Sequence, residues 1–101
     1  MSLQAQFENF KDNARVVFND RFIGDPGAKE LAKFIADHRK VEVLEIKSND
    51  ISADGFRDVF EALTRNPNFK QLMIEYNNLG ENEFDDWPNK LAAVIESCPK
   101  F

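Results

Sequence analysis

The sequence predicts an α/β solenoid, a right-handed β-α superhelix with parallel strands on one face and helices on the other. Three observations predict it. A pattern of apolar residues and asparagine recurs every 28 residues. Each occurrence is followed by a switch to helical periodicity, and breaker residues separate the units. In one unit Val41, Leu44, Ile46, Asn49, Ile51 and Gly55 hold the anchor positions; Phe69, Leu72, Ile74, Asn77 and Leu79 repeat them one period on. One period earlier Val16, Phe18, Ile23 and Gly27 fall into the same places, with Asn13 at the first anchor and Arg21 where the others carry asparagine.

The elements follow in order. Leu3, Phe7 and Phe10 mark one face of a short helix, expected over residues 1–12 as a cap on the first unit. Residues 13–101 then form three units. Ala28, Leu31, Phe34 and Ile35 mark the buried face of one helix, and Phe56, Val59 and Leu63 that of the next. Asp54 and Gly55 are expected just before that second helix, and Asn66-Pro67-Asn68 after it. Aligning Asn66–Phe69 with Cys98–Phe101 requires about four extra residues between Gly80 and Pro88, and Glu83 stands where the period expects glycine. Phe101 occupies the anchor that opens a strand. The expectation is either continuation into a longer solenoid or self-association through the edge of the third strand.

A short strand with Leu44 and Ile46 inward buries one side only, as does the helix after it, so stacking neighbouring units is what makes a continuous core. Asn49 and Asn77, at the strand ends, are placed to turn inward and hydrogen-bond the backbone of their own and the neighbouring turn. This arrangement over Asn13–Phe101 resembles the leucine-rich repeat family, of the ribonuclease-inhibitor-like type. The resemblance implies a non-catalytic scaffold that binds a partner protein through its strand face. Tropomodulins, which cap actin pointed ends, and the activators of the Ran GTPase contain similar repeats. A cytoskeletal or small-GTPase regulator is therefore the alternative by fold analogy.

Composition narrows the classes. A net charge of −5 repels phosphate backbones, and the Lys and Arg residues are scattered, so neither nucleic acid nor an anionic membrane is expected as partner. No run approaches the roughly 20 apolar residues of a membrane span, and the start does not read as a secretory signal. The single cysteine, Cys98, precludes an internal disulfide and suits a reducing compartment, which favours the cytoplasm or the nucleus.

The candidate chemistry is weak. Asp50, Ser52, Asp54, Gly55 and Glu61 match positions of an EF-hand calcium loop, making a calcium-binding protein a further alternative. Arg57 and the strand-like Val41–Lys47 argue against it. Gly24-Asp25-Pro26-Gly27-Ala28-Lys29 lacks the Gly-Lys-Ser/Thr sequence of a phosphate loop, and Pro26 removes an amide donor; it reads as a turn entering a helix. His38 is expected at a helix C-terminus. Cys98 has no histidine nearby in sequence, and no paired metal-ligand spacing occurs. No catalytic residue, metal or cofactor is expected.

The residues alternating with the inward anchors define the candidate binding face. They are Arg15, Val17 and Asn19; Val43, Glu45 and Lys47; and Gln71, Met73 and Glu75, with Asp20, Ser48 and Tyr76 just beyond. The period sets them in lateral columns, Val17–Glu45–Met73, Asn19–Lys47–Glu75 and Asp20–Ser48–Tyr76. Lys47 and Glu75 are placed to pair across strands. Phe84 and Trp87 are expected either in the core or as an apolar anchor for a partner.

Overall fold

The computed structural model describes residues 2–80 and 86–101. Among these residues three strands, β1 (Arg15–Val17), β2 (Val43–Glu45) and β3 (Gln71–Met73), alternate with four helices, α1 (Leu3–Glu8), α2 (Gly24–Asp37), α3 (Ala53–Leu63) and α4 (Trp87–Ser97). The strands form one parallel sheet in the order β1-β2-β3. Val16, Leu44 and Leu72 are in register, as are Val17, Glu45 and Met73. The 28-residue period of the sequence is therefore the register of the sheet. The helices pack in the same sequence, α1 on α2, α2 on α3 and α3 on α4.

The core lies between the sheet and the helices. Val16, Phe18, Leu44, Ile46 and Ile51 enter it from the sheet side, and Leu31, Ile35, Phe56, Val59 and Leu63 from α2 and α3. Phe7 of α1 is buried against Phe18 and Phe34, with ring centroids 4.8 and 5.9 Å away. Coverage fades along the array: Leu44, Ile46 and Ile51 are fully buried, whereas their equivalents Leu72, Ile74 and Leu79 are half-buried. None of the described helices is long and apolar enough to cross a membrane.

Three features differ in place from the sequence reading. The strands are three residues long rather than spanning Val41–Lys47, although the ladder continues past them, with the Ile46 N–H donating to Met73 O at 2.9 Å. Helix α3 begins at Ala53, so Asp54 and Gly55 lie in its first turn; the Ser52 side chain caps it by accepting the Asp54 N–H at 3.3 Å. Likewise Gly24–Gly27 form the first turn of α2, where Pro26 loses no intrahelical bond.

Asparagine holds the corners, and it does so in one direction. Asn49 Oδ1 accepts the Arg21 N–H at 2.8 Å, and its amide donates to Phe18 O at 2.6 Å and Lys47 O at 3.2 Å. Asn77 Oδ1 accepts the N–H groups of Asn49 and Ile51 at 3.0 Å each, and its amide donates to Ile46 O at 2.9 Å and Ile74 O at 3.0 Å. Each asparagine thus supports the preceding unit. β1 has no strand on its other side among the described residues, and there Arg21 takes the place of asparagine, its guanidinium 5.0 Å above the Phe18 ring.

A second ladder runs along the helix C-termini, and sequence reasoning missed it. Asn66 Nδ2 donates to Ile35 O at 3.2 Å, and the Cys98 thiol lies 3.4 Å from Leu63 O, the carbonyl one period later. Cys98 is the buried C-cap of α4, and burial pushes its thiol pKa up. His38 occupies the corresponding place after α2, with Nδ1 2.7 Å from Phe34 O and its ring stacked on Phe34, the expected helix-terminal contact.

The glycines allow close approach. A Cβ on Gly55 would stand 2.6 Å from Asp25 Oδ1 and 2.8 Å from Ile51 Cγ2; one on Gly27 would stand 2.4 Å from Ile23 Cβ. Asp25 needs that space, because its carboxylate accepts the Ser52 N–H at 2.7 Å and the Ser52 hydroxyl at 2.5 Å.

Candidate functional site: the strand face and its rim

The outward face of the sheet assembles as the alternation predicts. Val17, Asn19, Val43, Lys47 and Met73 are half-buried and Arg15, Gln71, Glu75 and Tyr76 exposed. The Lys47 N–H donates to Asn19 Oδ1 at 2.8 Å, and Lys47 Nζ lies 4.0 Å from Glu75 Oε2, so the column Asn19–Lys47–Glu75 is in contact.

Glu45 is the exception, being buried. Its carboxylate is taken up by Arg15, whose Nε donates at 3.0 Å and whose terminal nitrogen also bonds it, while Asn19 Nδ2 lies at 3.4 Å. The Arg15 hydrogen bond outweighs burial and holds the Glu45 carboxyl below its ordinary pKa. Glu45 therefore organises the centre of the face rather than presenting a free charge. An outward position in a period-2 pattern gives no sign of this, because neighbouring long side chains close over a short acid.

At the end of the strands the chain turns through left-handed conformations that also repeat. Asp20, Ser48 and Tyr76 have φ of 56°, 56° and 62°; two residues on, Phe22 and Asp50 have φ of 54° and 56°. Such backbone costs on the order of 1–3 kcal/mol for a non-glycine residue, and it is least expected of a bulky one. Two of the five are aromatic. Phe22 and Tyr76 are each 85% exposed, the highest values among the exposed large apolar residues. Tyr76 was legible as an outward residue; Phe22 was not, because it falls between anchors in a unit whose corner departs from the pattern.

The remaining candidates are dispersed. Asp50 bonds the Asn78 amide, Ser52 caps α3, and Asp54 pairs with Arg57 and with Lys29, the latter at 3.3 Å. Because α3 starts at Ala53, helical rise carries Glu61 about 10 Å along the axis from Asp54. The Asp50–Glu61 stretch is thus a strand corner followed by a helix, without the encircling loop a calcium ion needs. Among the described residues no group of three or more His, Cys, Asp and Glu side chains converges on one point. Trp87 opens α4 and is half-buried against the core; Phe84 lies outside the described residues. On the helix side a groove of about 540 Å³ runs between α2 and α3 over Ala32, Ala36 and Ala62, edged by Lys29, Asp58 and Arg65.

No family model matches the chain. Tropomodulin-4 of Bos taurus is 30% identical over 81 residues, covering 75% of this chain and 21% of that protein; tropomodulin-4 of Homo sapiens gives the same figures. The Tonsoku-like protein of Danio rerio is 29% identical over 104 residues, covering 98% of this chain and 7% of that protein. The chain thus spans at most about a fifth of the length of these curated relatives. Among solved structures, leiomodin-1 actin-binding site 2 superposes with a TM-score of 0.77 at 16% identity, over 98% of this chain and 58% of that one. The fold is accordingly a mixed α/β, leucine-rich-repeat-like arrangement around a three-stranded parallel sheet.

Proposed function

We propose that the chain is a non-catalytic protein-binding module with an actin-related role, built as a short leucine-rich-repeat solenoid of the ribonuclease-inhibitor-like type. In this reading residues 1–12 cap the array, residues 13–101 form three units, and the module works in the cytoplasm or nucleus. The observation that carries it is the superposition on leiomodin-1 actin-binding site 2 over 98% of this chain. The tropomodulin-4 similarity points the same way from sequence.

The contact surface of this reading is the strand face. Val17, Val43 and Met73 supply apolar area, and Asn19, Lys47, Gln71, Glu75 and Tyr76 polar and aromatic contacts around a centre stiffened by the Arg15–Glu45 pair. Half-buried apolar groups ringed by charge are the usual composition of a recognition patch. The edge of β3, where Leu72 and Ile74 are half-buried, is a second place for another chain to add.

Purified actin, monomeric and filamentous, supplies the test. Titration of the labelled chain should show saturable binding to one of the two forms. The double variant Lys47→Glu, Met73→Ala should lose most of that binding while its melting temperature holds. Absence of binding to both forms removes the actin reading, and full binding by the variant removes the strand face.

A further inference from the structure

Phe22 and Tyr76 sit on the turns that leave β1 and β3, at the same end of the sheet. Neither joins the core, and both hold a conformation that bulky side chains rarely take. The middle unit shows what the fold alone asks for there. The positions equivalent to Phe22 and Tyr76 are Asp50 and Ser48, small polar residues on the same left-handed backbone. The two aromatics thus combine backbone strain with exposed apolar surface and return nothing to their own core. Strain of this kind gathers where a surface engages something else.

The rim between them is anionic. Asp20 stands on the same corner as Phe22, Asp50 on the one intervening corner and Glu75 beside Tyr76; the Glu75 carboxylate faces Lys47 at 4.0 Å, and Asp50 also bonds the Asn78 amide. The positive charge of Arg21 is drawn over the Phe18 ring. Adjacent strands lie about 4.8 Å apart, so the first and third corners are about 10 Å apart, the reach of three residues of extended chain.

We propose that Phe22 and Tyr76 are paired anchors of a docking rim that takes an extended segment of a partner protein, carrying a lysine or arginine between apolar residues. The apolar residues meet the two rings, and the cation meets the Asp20 and Asp50 carboxylates beside them, where aromatic ring faces and carboxylates favour it together. This rests on the protein-binding reading above and assigns the chemistry of what is bound; it does not require that actin be the partner.

The test is selection from a random nine-residue peptide library by the labelled full chain. Selected peptides should be enriched in a Lys or Arg flanked by apolar residues about three apart. The double variant Phe22→Asn, Tyr76→Ser, which puts small polar residues at both corners as in the middle unit, should bind those peptides at least about tenfold more weakly. Its melting temperature should hold or rise, because the left-handed corners then carry residues that fit them better. Enrichment of acidic peptides, no enrichment, undiminished binding by the variant, or a lowered melting temperature would each overturn the proposal. If selection succeeds and actin binding fails, the actin reading falls and the docking rim stands.

Discussion

Asn49 Oδ1 accepts the backbone N–H of Arg21 at 2.8 Å, one full period back along the chain. The bond ties a fully buried amide to the corner of the preceding unit, and the same amide also donates to Phe18 O. Replacing Asn49 with alanine leaves buried backbone groups without partners, and the expected loss is about 2–4 kcal/mol of folding stability. Arg21→Asn, by contrast, should change stability by less than about 1 kcal/mol, since a guanidinium accepts no backbone N–H and this one rests on the Phe18 ring. Urea denaturation of the two variants measures both; equal losses would contradict the one-way support described here.

Glycine at position 55 makes a second prediction. A Cβ there meets Asp25 Oδ1, Ile51 Cγ2 and Ala28 Cβ at 2.6, 2.8 and 3.0 Å, whereas one at Gly80 meets nothing within 4 Å. Gly55→Ala should cost about 1–3 kcal/mol through overpacking of α2 against α3. Gly80→Ala should be neutral within about 0.5 kcal/mol. Thermal melts of the pair provide the comparison.

The Arg15–Glu45 contact makes stability pH-dependent with a definite sign. Arg15 lowers the folded pKa of Glu45 below its ordinary value of 4.5, so the contribution is complete above that value. It is lost as pH falls through the lower folded value. Melting temperatures recorded from pH 5.5 down to pH 3 should therefore fall less steeply in Glu45→Gln than in the unaltered chain. A steeper fall in the variant would show that the pair has the opposite linkage.

Cys98 should behave as a structural thiol. It is buried, lies 3.4 Å from Leu63 O and 3.3 Å from Asn66 O, and has its pKa raised by burial. Alkylation at pH 8 should proceed only as fast as the chain opens, and become rapid in denaturant. A native thiol that reacts at the rate of a free peptide cysteine would place Cys98 at the surface.

What could be read from the letters depended on how narrowly each position restricts its residue. Leu44, Ile46, Asn49 and Gly55 sit where only an apolar group, a small two-way amide or a missing Cβ will do, so the period appears in the sequence. The helix-end ladder does not, because a donor aimed at one carbonyl can be the Asn66 amide or the Cys98 thiol, and no shared letter marks the position. Helix α3 starts earlier than Asp54 and Gly55 suggest, because Ser52, not Asp54, provides the cap. At the candidate site the columns Val17–Glu45–Met73 and Asn19–Lys47–Glu75 followed from the period. The burial of Glu45 did not, since it depends on a neighbouring strand folding Arg15 over it, and the left-handed Phe22 runs against the local preference for small polar residues.

The asparagine corners have one more consequence, which concerns direction. Those of their bonds that reach another unit all point backward, so the molecule behaves like overlapping shingles: each unit fastens the edge of the one laid before it. Asn77 secures the amides of Asn49 and Ile51, while the amides of Asn77 and Leu79 receive no such acceptor among the described residues. Among the described residues the β3 corner is thus the least fastened, and in the chain as it stands amide exchange should be fastest there. That corner carries Tyr76.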